Sequence, residues 1–395
     1  MDNFIAALIQ QVKPSATIAV SMKAAELKRA GRDVIGLGAG EPDFDTPEHI
    51  KQAAIDAIHS GQTKYTAVDG TAELKAAIIN KLERENQIAA EPSQILVSCG
   101  AKHSIFNLLQ AVINPGDEVI IPTPYWVSYP DMTVLAGGQP CLLETRAEDH
   151  FKVTADKLRQ TINEKTKLVM LNAPSNPTGM AYTRTEMQAI GEVLLENPHV
   201  LLCTDDIYEH IYWGQEALNN YIAMFPQLRD RVILINGVSK AYAMTGWRIG
   251  YALAHEAIIS AMRKVQSQST SNPCSISQAA AVTALNGPQD CLRVMCDAFK
   301  QRHDYLVAAL NDIDGFSCLS GDGAFYAFPD VSAAIEQLPD VNDDIEFASW
   351  LLENAEVAVV PGTPFGAAGH VRLSFATDME TLQKAMLRIK KAIEN

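Results

Sequence analysis

The sequence predicts an α/β fold, with a mostly parallel central sheet covered by helices on both faces and a smaller α+β region after it. From about residue 94 to residue 255, short apolar runs alternate with segments of helical periodicity, as in a doubly wound sheet. Runs such as Val232–Ile235 are apolar throughout, which indicates strands buried on both faces. After residue 255 longer helical stretches dominate and strands are short, which predicts a second, smaller unit.

The elements of the large sheet can be placed individually. Its predicted strands are Ile95–Ser98, Glu118–Ile121, Lys167–Leu171, Val200–Cys203, Val232–Ile235 and Ile249–Leu253. At the amino-terminal side, Pro14 can open a helix that Gly31 ends, and Thr46 with Pro47 is placed to cap a helix that runs to His59. We therefore expect an amino-terminal arm and first part of a small domain over 1–48, a large domain over 49–285 and a small carboxyl-terminal domain over 286–395.

Composition and charge exclude several classes of function. The 395 residues carry a formal net charge of −15, which argues against nucleic acids and anionic membrane surfaces as partners. No apolar run approaches the roughly 20 residues of a membrane-spanning helix. The seven cysteines are scattered singly, without spacing typical of a metal site, so we expect reduced thiols, no bound metal and a cytoplasmic location.

Three glycines near the amino terminus invite a dinucleotide-binding interpretation, which the following residues oppose. Gly36, Gly38 and Gly40 alternate with other residues, but Pro42 and Pro47 prevent a helix from following directly. The run instead predicts a loop whose backbone approaches a ligand or another segment closely.

Two residues at the carboxyl ends of predicted strands are candidates for chemistry. Lys240 follows the strand Val232–Ile235, where a partly dry environment would lower the pKa of its amine; the alternative is an inert lysine in a surface loop. Asp205 follows another buried strand and needs a strong partner, such as a protonated ring nitrogen. A helix cap or a salt bridge is the alternative for this carboxylate.

Further strand-end residues could bind an anion or a planar ring. Gly100, Ala101 and Lys102 open a helix, where free N–H groups suit a phosphate; an ordinary turn between strand and helix is the alternative. Arg248 follows Lys240 closely enough to neutralise an anion beside it, and Arg372 lies within an apolar strand, where a guanidinium seeks a carboxylate, a phosphate or a structural ion pair.

Two residues of neighbouring loops complete this set. Trp126 could stack on a ring or belong to the core, and Asn176 could present an amide or simply form a turn. Together the groups at the strand ends suit one ligand pair, pyridoxal 5′-phosphate (PLP) with an amino acid.

Motifs along the whole chain carry a resemblance to a known family. They are Lys13-Pro14-Ser15-Ala16-Thr17, Gly40-Glu41-Pro42-Asp43-Phe44, Thr63-Lys64-Tyr65, Tyr125-Trp126-Val127-Ser128-Tyr129-Pro130, Asn176-Pro177-Thr178-Gly179, Asp205-Asp206-Ile207-Tyr208, Ser239-Lys240, Ala243-Met244-Thr245-Gly246-Trp247-Arg248-Ile249-Gly250-Tyr251 and His370-Val371-Arg372-Leu373-Ser374. With these motifs the sequence resembles the class I aminotransferases of PLP fold type I, in the bacterial aspartate and aspartate/prephenate subgroup.

The resemblance implies a role for each matching residue. It implies that Lys240 forms a Schiff base with PLP and moves the proton, and that Asp205 keeps the pyridine nitrogen protonated. Asn176 and Tyr208 would bind the ring oxygen. The phosphate would lie near Gly100, Ala101, Lys102 and Arg248, and Trp126 would cover the ring. Tyr65 would reach the cofactor of the partner subunit in a homodimer, while Arg372, Gly40 and Asn176 would hold the substrate α-carboxylate.

Two departures from the family pattern affect these expectations. Many relatives have a serine where this chain has Gly237, so one hydrogen bond to the phosphate is in question. Animal-type relatives bind the distal carboxylate with an arginine before Ser-Asn-Pro, whereas Gln266-Ser267-Gln268-Ser269-Thr270 has no basic residue. Lys102, or Lys13 with Ser15 and Thr17, would then bind the distal carboxylate, and a basic residue at position 13 accompanies the use of prephenate in the similar subgroup.

We therefore expect a homodimeric, cytoplasmic aspartate aminotransferase acting on small dicarboxylic amino and keto acids. An aminotransferase for aromatic or neutral amino acids, or a PLP-dependent lyase, remains an alternative on the same fold. A PLP-binding DNA regulator is another alternative, but the acidic charge and the short segment before Lys13 oppose it.

Overall fold

A seven-stranded sheet organises the structure, a computed structural model that describes residues 4–214 and 218–394. The strands are β1 (Ile35–Gly36), β2 (Ile95–Ser98), β3 (Glu118–Pro122), β4 (Gln139–Leu143), β5 (Thr166–Asn172), β6 (Leu201–Asp205), β7 (Val232–Gly237), β8 (Gly250–Leu253), β9 (Tyr326–Ala327), β10 (Val357–Ala358), β11 (Val360–Pro361) and β12 (Val371–Ser374). The large sheet has the order β2-β8-β7-β6-β5-β3-β4, and β8 runs antiparallel to both its neighbours. The other pairs are parallel, which confirms the predicted fold class.

Helices cover both faces of this sheet. The helices of the described chain are α1 (Ala16–Arg29), α2 (Glu48–His59), α3 (Ala72–Asn86), α4 (Ala101–Val112), α5 (Ser128–Leu135), α6 (Ala155–Thr161), α7 (Arg184–Glu196), α8 (Tyr221–Met224), α9 (Glu256–Ser267), α10 (Ser275–Asn286), α11 (Asp290–Asn311), α12 (Ser332–Gln337), α13 (Asp344–Asn354) and α14 (Met379–Ile393). Of these, α1 and α11 to α14 pack mainly outside the large sheet. Successive strand residues point to opposite faces, so Val169 joins the core under α2, α3, α7 and α10, whereas Leu168 joins the core under α4, α5 and α9.

A separate core forms where the amino-terminal segment meets the carboxyl-terminal elements. β1 pairs in parallel with β10, and β11, β12 and β9 form a three-stranded antiparallel sheet. Leu37, Phe299, Leu373 and Ile389 pack in this core, which also takes in Tyr208 from the large-sheet region. The domain boundaries at 48 and 285 stay a prediction, and this packing places Arg372 opposite the ends of the large sheet.

The predicted elements differ from the observed ones in informative places. β6 continues to Asp205, two residues beyond the predicted strand, because it pairs with both β5 and β7 there. Helix α1 begins at Ala16 after Ser15, not at Pro14. Thr46 does not cap α2: its hydroxyl donates to the Ala243 carbonyl, 2.6 Å away, and so fastens this loop to the segment after Lys240. Strand β4, at the sheet edge, was absent from the prediction.

Among the described residues no helix is both long enough and apolar enough to span a membrane.

Candidate active site

One cleft of about 560 Å³ brings most of the predicted residues together at the carboxyl ends of the sheet strands. The predicted residues that line it are Ser15, Thr17, Gly40, Ala101, Lys102, Trp126, Asn176, Asp205, Tyr208, Lys240, Arg248 and Arg372. Three predicted residues, Gly100, Lys13 and Tyr65, do not line the cleft. The parallel topology explains the meeting, because the loops after β2, β5, β6 and β7 all leave the same edge.

Lys240 lies at the base of the cleft in a dry, aromatic environment. Its Nζ donates a hydrogen bond to the Gly40 carbonyl and lies 5.9 Å and 5.7 Å from the ring centres of Tyr208 and Phe325. Desolvation, reinforced by the positive charge of Arg372, lowers the pKa of Lys240 to about 8. The amine is therefore partly neutral near physiological pH and available as a nucleophile and a base.

Asp205 ends β6 as a buried carboxylate with one free oxygen. Its Oδ2 accepts a hydrogen bond of 2.7 Å from the Tyr129 hydroxyl, while Oδ1 has no partner among the described residues. Burial raises the pKa of Asp205 to about 6, although the Tyr129 hydrogen bond, the backbone N–H of Ile207 and the charge of Lys240 oppose the rise. A buried acceptor without a donor fits the protonated ring nitrogen of PLP, which would satisfy Oδ1 and favour the ionised carboxylate.

The start of α4 and Arg248 form a site suited to a phosphate. Gly100 has φ +88° and turns the chain from β2 into α4, whose first N–H groups lack partners within the helix. Arg248 donates to the carbonyls of Thr245, at 2.9 Å, and Cys99, at 3.3 Å. A Cβ at Gly100 would lie 2.3 Å from Nη2 of Arg248, so only glycine allows the guanidinium to reach this helix end.

Arg372 is buried on the opposite wall, with 1% of its surface exposed. Its Nη1 donates to Oδ1 of Asn176 at 3.0 Å and its Nη2 to the Gly38 carbonyl at 2.7 Å. Its Nε is buried without a partner among the described residues, and the guanidinium lies 4.4 Å from the Tyr326 ring centre. No carboxylate neutralises this guanidinium in the part of the chain that the structure describes, so the arrangement suits a substrate carboxylate.

Three residues without a predicted role support the site. Tyr129 fixes Asp205, and Asn172 holds both the Asp205 carbonyl and the Asn176 N–H through its side-chain amide, at 2.7 and 2.8 Å. The Tyr326 hydroxyl bonds the Tyr208 hydroxyl at 2.9 Å. Tyr129 lies within the motif Tyr125-Trp126-Val127-Ser128-Tyr129-Pro130, so the sequence could have indicated this residue. Nothing in the local sequence distinguishes Tyr326.

The mouth of the cleft combines basic and apolar groups. The ammonium of Lys102 lies 4.8 Å from the Trp126 ring centre, and desolvation together with Arg248 lowers the pKa of Lys102. Ile18 and Met22 of α1 line the cleft with largely exposed side chains. Lys13 is exposed, and its backbone N–H donates to Asp131 at 3.4 Å, so its predicted substrate contact stays a prediction.

Tyr65 is 91% exposed and lies away from the cleft of its own chain. A tyrosine so exposed is placed to contact another molecule, but its predicted role at a partner's cofactor stays a prediction.

The structure gives a physical reason for Gly237. This residue ends β7 opposite Gly250 of β8. A Cβ at Gly237 would lie 2.9 Å from the Ile249 carbonyl and 3.0 Å from Gly250 Cα, and a Cβ at Gly250 would lie 2.1 Å from the Ala101 nitrogen. The paired glycines therefore let β7, β8 and the start of α4 approach closely beneath the cleft.

Comparisons with known proteins agree with this geometry. The family model for aminotransferase class I and II matches residues 32–389. The aspartate/prephenate aminotransferase of Nitrosomonas europaea is 54% identical over 96% of this chain and 97% of its own, and the aspartate aminotransferase of Bacillus subtilis is 48% identical over 99% of each.

Solved structures give the same result. The aspartate aminotransferase of Rhizobium meliloti superposes with a TM-score of 0.95 at 49% identity, covering 99% of this chain and 98% of its own. That of Thermus thermophilus with maleate gives 0.92 at 42% identity, covering 98% and 99%. The profile match and these full-length similarities show that the chain belongs to the class I and II aminotransferase family.

Proposed function

We propose that this chain is an aspartate aminotransferase, which uses PLP to move an amino group reversibly between L-aspartate or L-glutamate and 2-oxoglutarate or oxaloacetate. The observation that carries the proposal is the meeting of three groups in one cleft: Lys240, the unpaired Oδ1 of Asp205 and the buried guanidinium of Arg372. The names of the relatives at 46–54% identity support the substrate assignment. The homodimer and the cytoplasmic location stay predictions.

The residues of the cleft fit PLP in one orientation. Asp205 would hold its ring nitrogen, Asn176 and Tyr208 its ring oxygen, and Trp126 its face. The start of α4 and Arg248 would hold its phosphate, and Lys240 would hold its aldehyde carbon covalently. When bound, PLP supplies a conjugated ring that accepts the electron pair left on Cα when the amino acid loses its proton.

Protein groups place the substrate and move the proton. Arg372 binds the α-carboxylate, with Asn176 and the Gly40 backbone beside it, and this fixes Cα near Lys240. Lys240 is the group that would take the proton from Cα and later deliver it, because a pKa of about 8 lets its amine act both as a base and, once protonated, as an acid.

Lys102 is the proposed partner of the distal carboxylate. Its lowered pKa and its place at the cleft mouth support this role, and binding a dicarboxylate there would offset its desolvation. The relative crystallised with maleate, itself a dicarboxylate, supports an acidic substrate class. Prephenate is a proposed additional acceptor, since Ile18 and Met22 offer apolar surface for its ring.

Single-turnover absorbance kinetics test the proposal. The PLP form is mixed with aspartate, glutamate or alanine, and the amino form with oxaloacetate, 2-oxoglutarate or prephenate. We expect aspartate and glutamate to react much faster than alanine, with one keto acid formed per cofactor converted. Release of carbon dioxide or of an elimination product instead of the keto acid would indicate a lyase.

Lys102→Ser tests the substrate class. Loss of a charge-assisted contact should lower kcat/KM for aspartate about 10- to 100-fold and leave alanine nearly unchanged. Lys264→Ser, at an exposed position of α9, is the matched control. Equal losses for aspartate and alanine would refute the role of Lys102.

A further inference from the structure

A buried polar cluster lies behind the cleft, and none of the roles above uses it. We call it the Glu209 cluster: Lys81, Asn86, Glu209 and Asn236. Lys81 forms an ion pair with Glu209, and Asn86 and Asn236 donate to its two carboxylate oxygens at 3.0 and 2.6 Å. Lys81 also donates to Oδ1 of Asn86 at 2.7 Å. The Lys81 side chain is 1% exposed and that of Glu209 12%.

In this cluster Glu209 is ionised, and Lys81 occupies the position that a cation could otherwise take. Burial alone would raise the pKa of Glu209, but Lys81, His210 and Asn86 outweigh it and hold this pKa below the usual value. The oxygen and nitrogen atoms of Glu85, Glu209 and His210 lie within 4.8 Å of one another, as in some metal sites. The Lys81 ammonium pairs with both glutamates, at 3.5 Å for Glu85, so the positive charge that this group needs is supplied by the protein.

Glu209 is linked directly to the segment that carries two cofactor residues. It follows Tyr208 in the chain and comes four residues after Asp205. Its N–H donates to the Asp206 carbonyl, and the Asp206 N–H donates to the Ile235 carbonyl of β7, both at 2.9 Å. The backbone of Glu209 therefore closes the short turn that carries Asp205 and Tyr208, and its side chain anchors this turn in the cluster.

Asn236 joins the same cluster to the segment that carries Lys240. Its Nδ2 donates to Glu209, and its Oδ1 accepts from the Gly237 N–H at 2.7 Å, three residues before Lys240. The Asn236 side chain is 2% exposed, so water offers little compensation for a lost bond. The Asn236 amide therefore ties the Glu209 side chain to the end of β7, in addition to the backbone bond from Asp206 to Ile235.

We propose that Glu209, held by Lys81 and Asn236, is a positioning residue that sets Asp205 and Tyr208 at the correct distance from Lys240. This inference rests on the proposed function, since those three residues are the ones that would hold and use PLP. Buried ion pairs add little net stability, because desolvation offsets their attraction. The role of the cluster is therefore best tested by measuring how the cofactor residues are placed, not by measuring stability.

The test compares two cluster variants with a matched control in the PLP-loaded enzyme. Glu209→Gln removes the ion pair and Asn236→Ala removes the link to Gly237. Asp69→Asn breaks the ion pair with Lys75, another buried lysine of α3, whose Nζ lies 2.5 Å from Asp69. We expect both cluster variants to lower kcat for aspartate about 10- to 100-fold, since misplaced catalytic groups cost this much, with KM nearly unchanged because Arg372 is untouched. The control should keep wild-type kcat.

Visible circular dichroism of bound PLP, which reports the orientation of its ring, gives a readout independent of turnover. The band should change in both cluster variants and stay unchanged in Asp69→Asn. The double variant should be no slower than the slower single variant, because both act through one link. If Glu209→Gln does not fold, Asn236→Ala carries the test alone.

Cluster variants that lose thermal stability but keep wild-type kcat and dichroism would overturn the inference, as would fully multiplicative losses in the double variant. A wild-type enzyme that binds no PLP or does not convert aspartate would instead overturn the proposed function.

Discussion

Lys240 and Asp205 both lie in surroundings that disfavour their charged forms, and each has a consequence that can be measured without substrate. Desolvation beside Arg372 favours the neutral amine of Lys240, while burial favours the neutral acid of Asp205 against the opposing hydrogen bond from Tyr129. PLP would relieve both costs at once, because it would bond covalently to the amine and offer a protonated nitrogen to the acid. In the cofactor-free protein the charged forms of both groups therefore carry a desolvation cost, which PLP binding would remove.

The first prediction concerns the pH dependence of PLP attachment. Only the neutral amine attacks an aldehyde, and Lys240 becomes neutral as pH rises through about 8 rather than through its ordinary value of 10.5. We expect the second-order rate of attachment, followed by absorbance after mixing with cofactor-free enzyme, to rise with a midpoint near pH 8 and then level off. A rate that kept rising to pH 10 would show an unshifted lysine.

The second prediction concerns the stability of cofactor-free enzyme with Asp205→Asn. The pKa of Asp205 is raised from 3.8 to about 6 in the folded state, so folded protein binds this proton more tightly than unfolded protein does. Its contribution to stability is full below pH 4 and is lost as pH rises through 6, at a cost of about 3 kcal/mol. Asparagine keeps an acceptor for Tyr129 and carries no charge.

The free energy of unfolding of the wild type and of Asp205→Asn, measured with denaturant at several pH values, tests this prediction. Asp205→Asn should be more stable than the wild type above pH 6, and the two should converge near pH 4. It should also bind PLP more weakly, because the ring nitrogen loses its carboxylate. A wild type that is more stable than Asp205→Asn at pH 8 without cofactor would contradict the burial argument.

Among the elements, the pairing of β7 with β8 governs how the cleft is built. Gly237 and Gly250 face each other there, and the start of α4 lies against Gly250. In this chain the close approach leaves no space for a side chain.

Gly237→Ser, which adds a side chain at this position, should therefore destabilise the protein. Its Cβ would come within 2.9 Å of the Ile249 carbonyl, and overpacking of this kind costs about 1–3 kcal/mol. We expect a lower thermal midpoint and no gain in PLP affinity. Gly36→Ser is the control, since a Cβ at this strand glycine meets nothing within 4 Å. Tighter PLP binding by Gly237→Ser would show that the serine could still reach the phosphate.

The secondary-structure elements also show what could be predicted from the sequence. Apolar runs located five buried strands of the large sheet to within two residues, and β8 as well, because period and burial are local properties. They did not reveal β4, whose exposed Leu142 and exposed, polar first residue Gln139 reflect an edge position. Thr46 was misassigned as a cap because its hydroxyl bonds Ala243, a partner 197 residues away.

At the scale of the whole molecule, the predicted site residues came mostly from strand ends, and the topology of a parallel sheet explains why they meet. The contacts that could not be predicted join residues that are far apart in the sequence. Tyr326 reaches Tyr208 and Arg372 from β9, and Tyr129 reaches Asp205 across 76 positions. Tyr129 lies in a recognisable motif, but the motif does not show that its partner is Asp205, and Tyr326 has no local pattern at all.

Assembly of two chains is the largest-scale prediction. If Tyr65 completes the partner's site, a hybrid dimer of a Tyr65→Ala chain and a Lys240→Ala chain contains one intact site and one doubly altered site. We expect such hybrids, purified with two different tags, to recover about half the wild-type kcat, whereas each parent homodimer is impaired. Hybrids no more active than the Tyr65→Ala homodimer would place Tyr65 in the site of its own chain.

The central claim, that Lys240 holds the cofactor in this cleft, has a direct test. PLP-loaded enzyme is reduced with borohydride, which makes the lysine–cofactor bond permanent, and the digested chain is mapped by mass spectrometry. We predict stoichiometric modification of Lys240 alone, and none in a Lys240→Ala variant that remains folded. Modification of another lysine instead, or near-normal transamination by Lys240→Ala, would contradict the account.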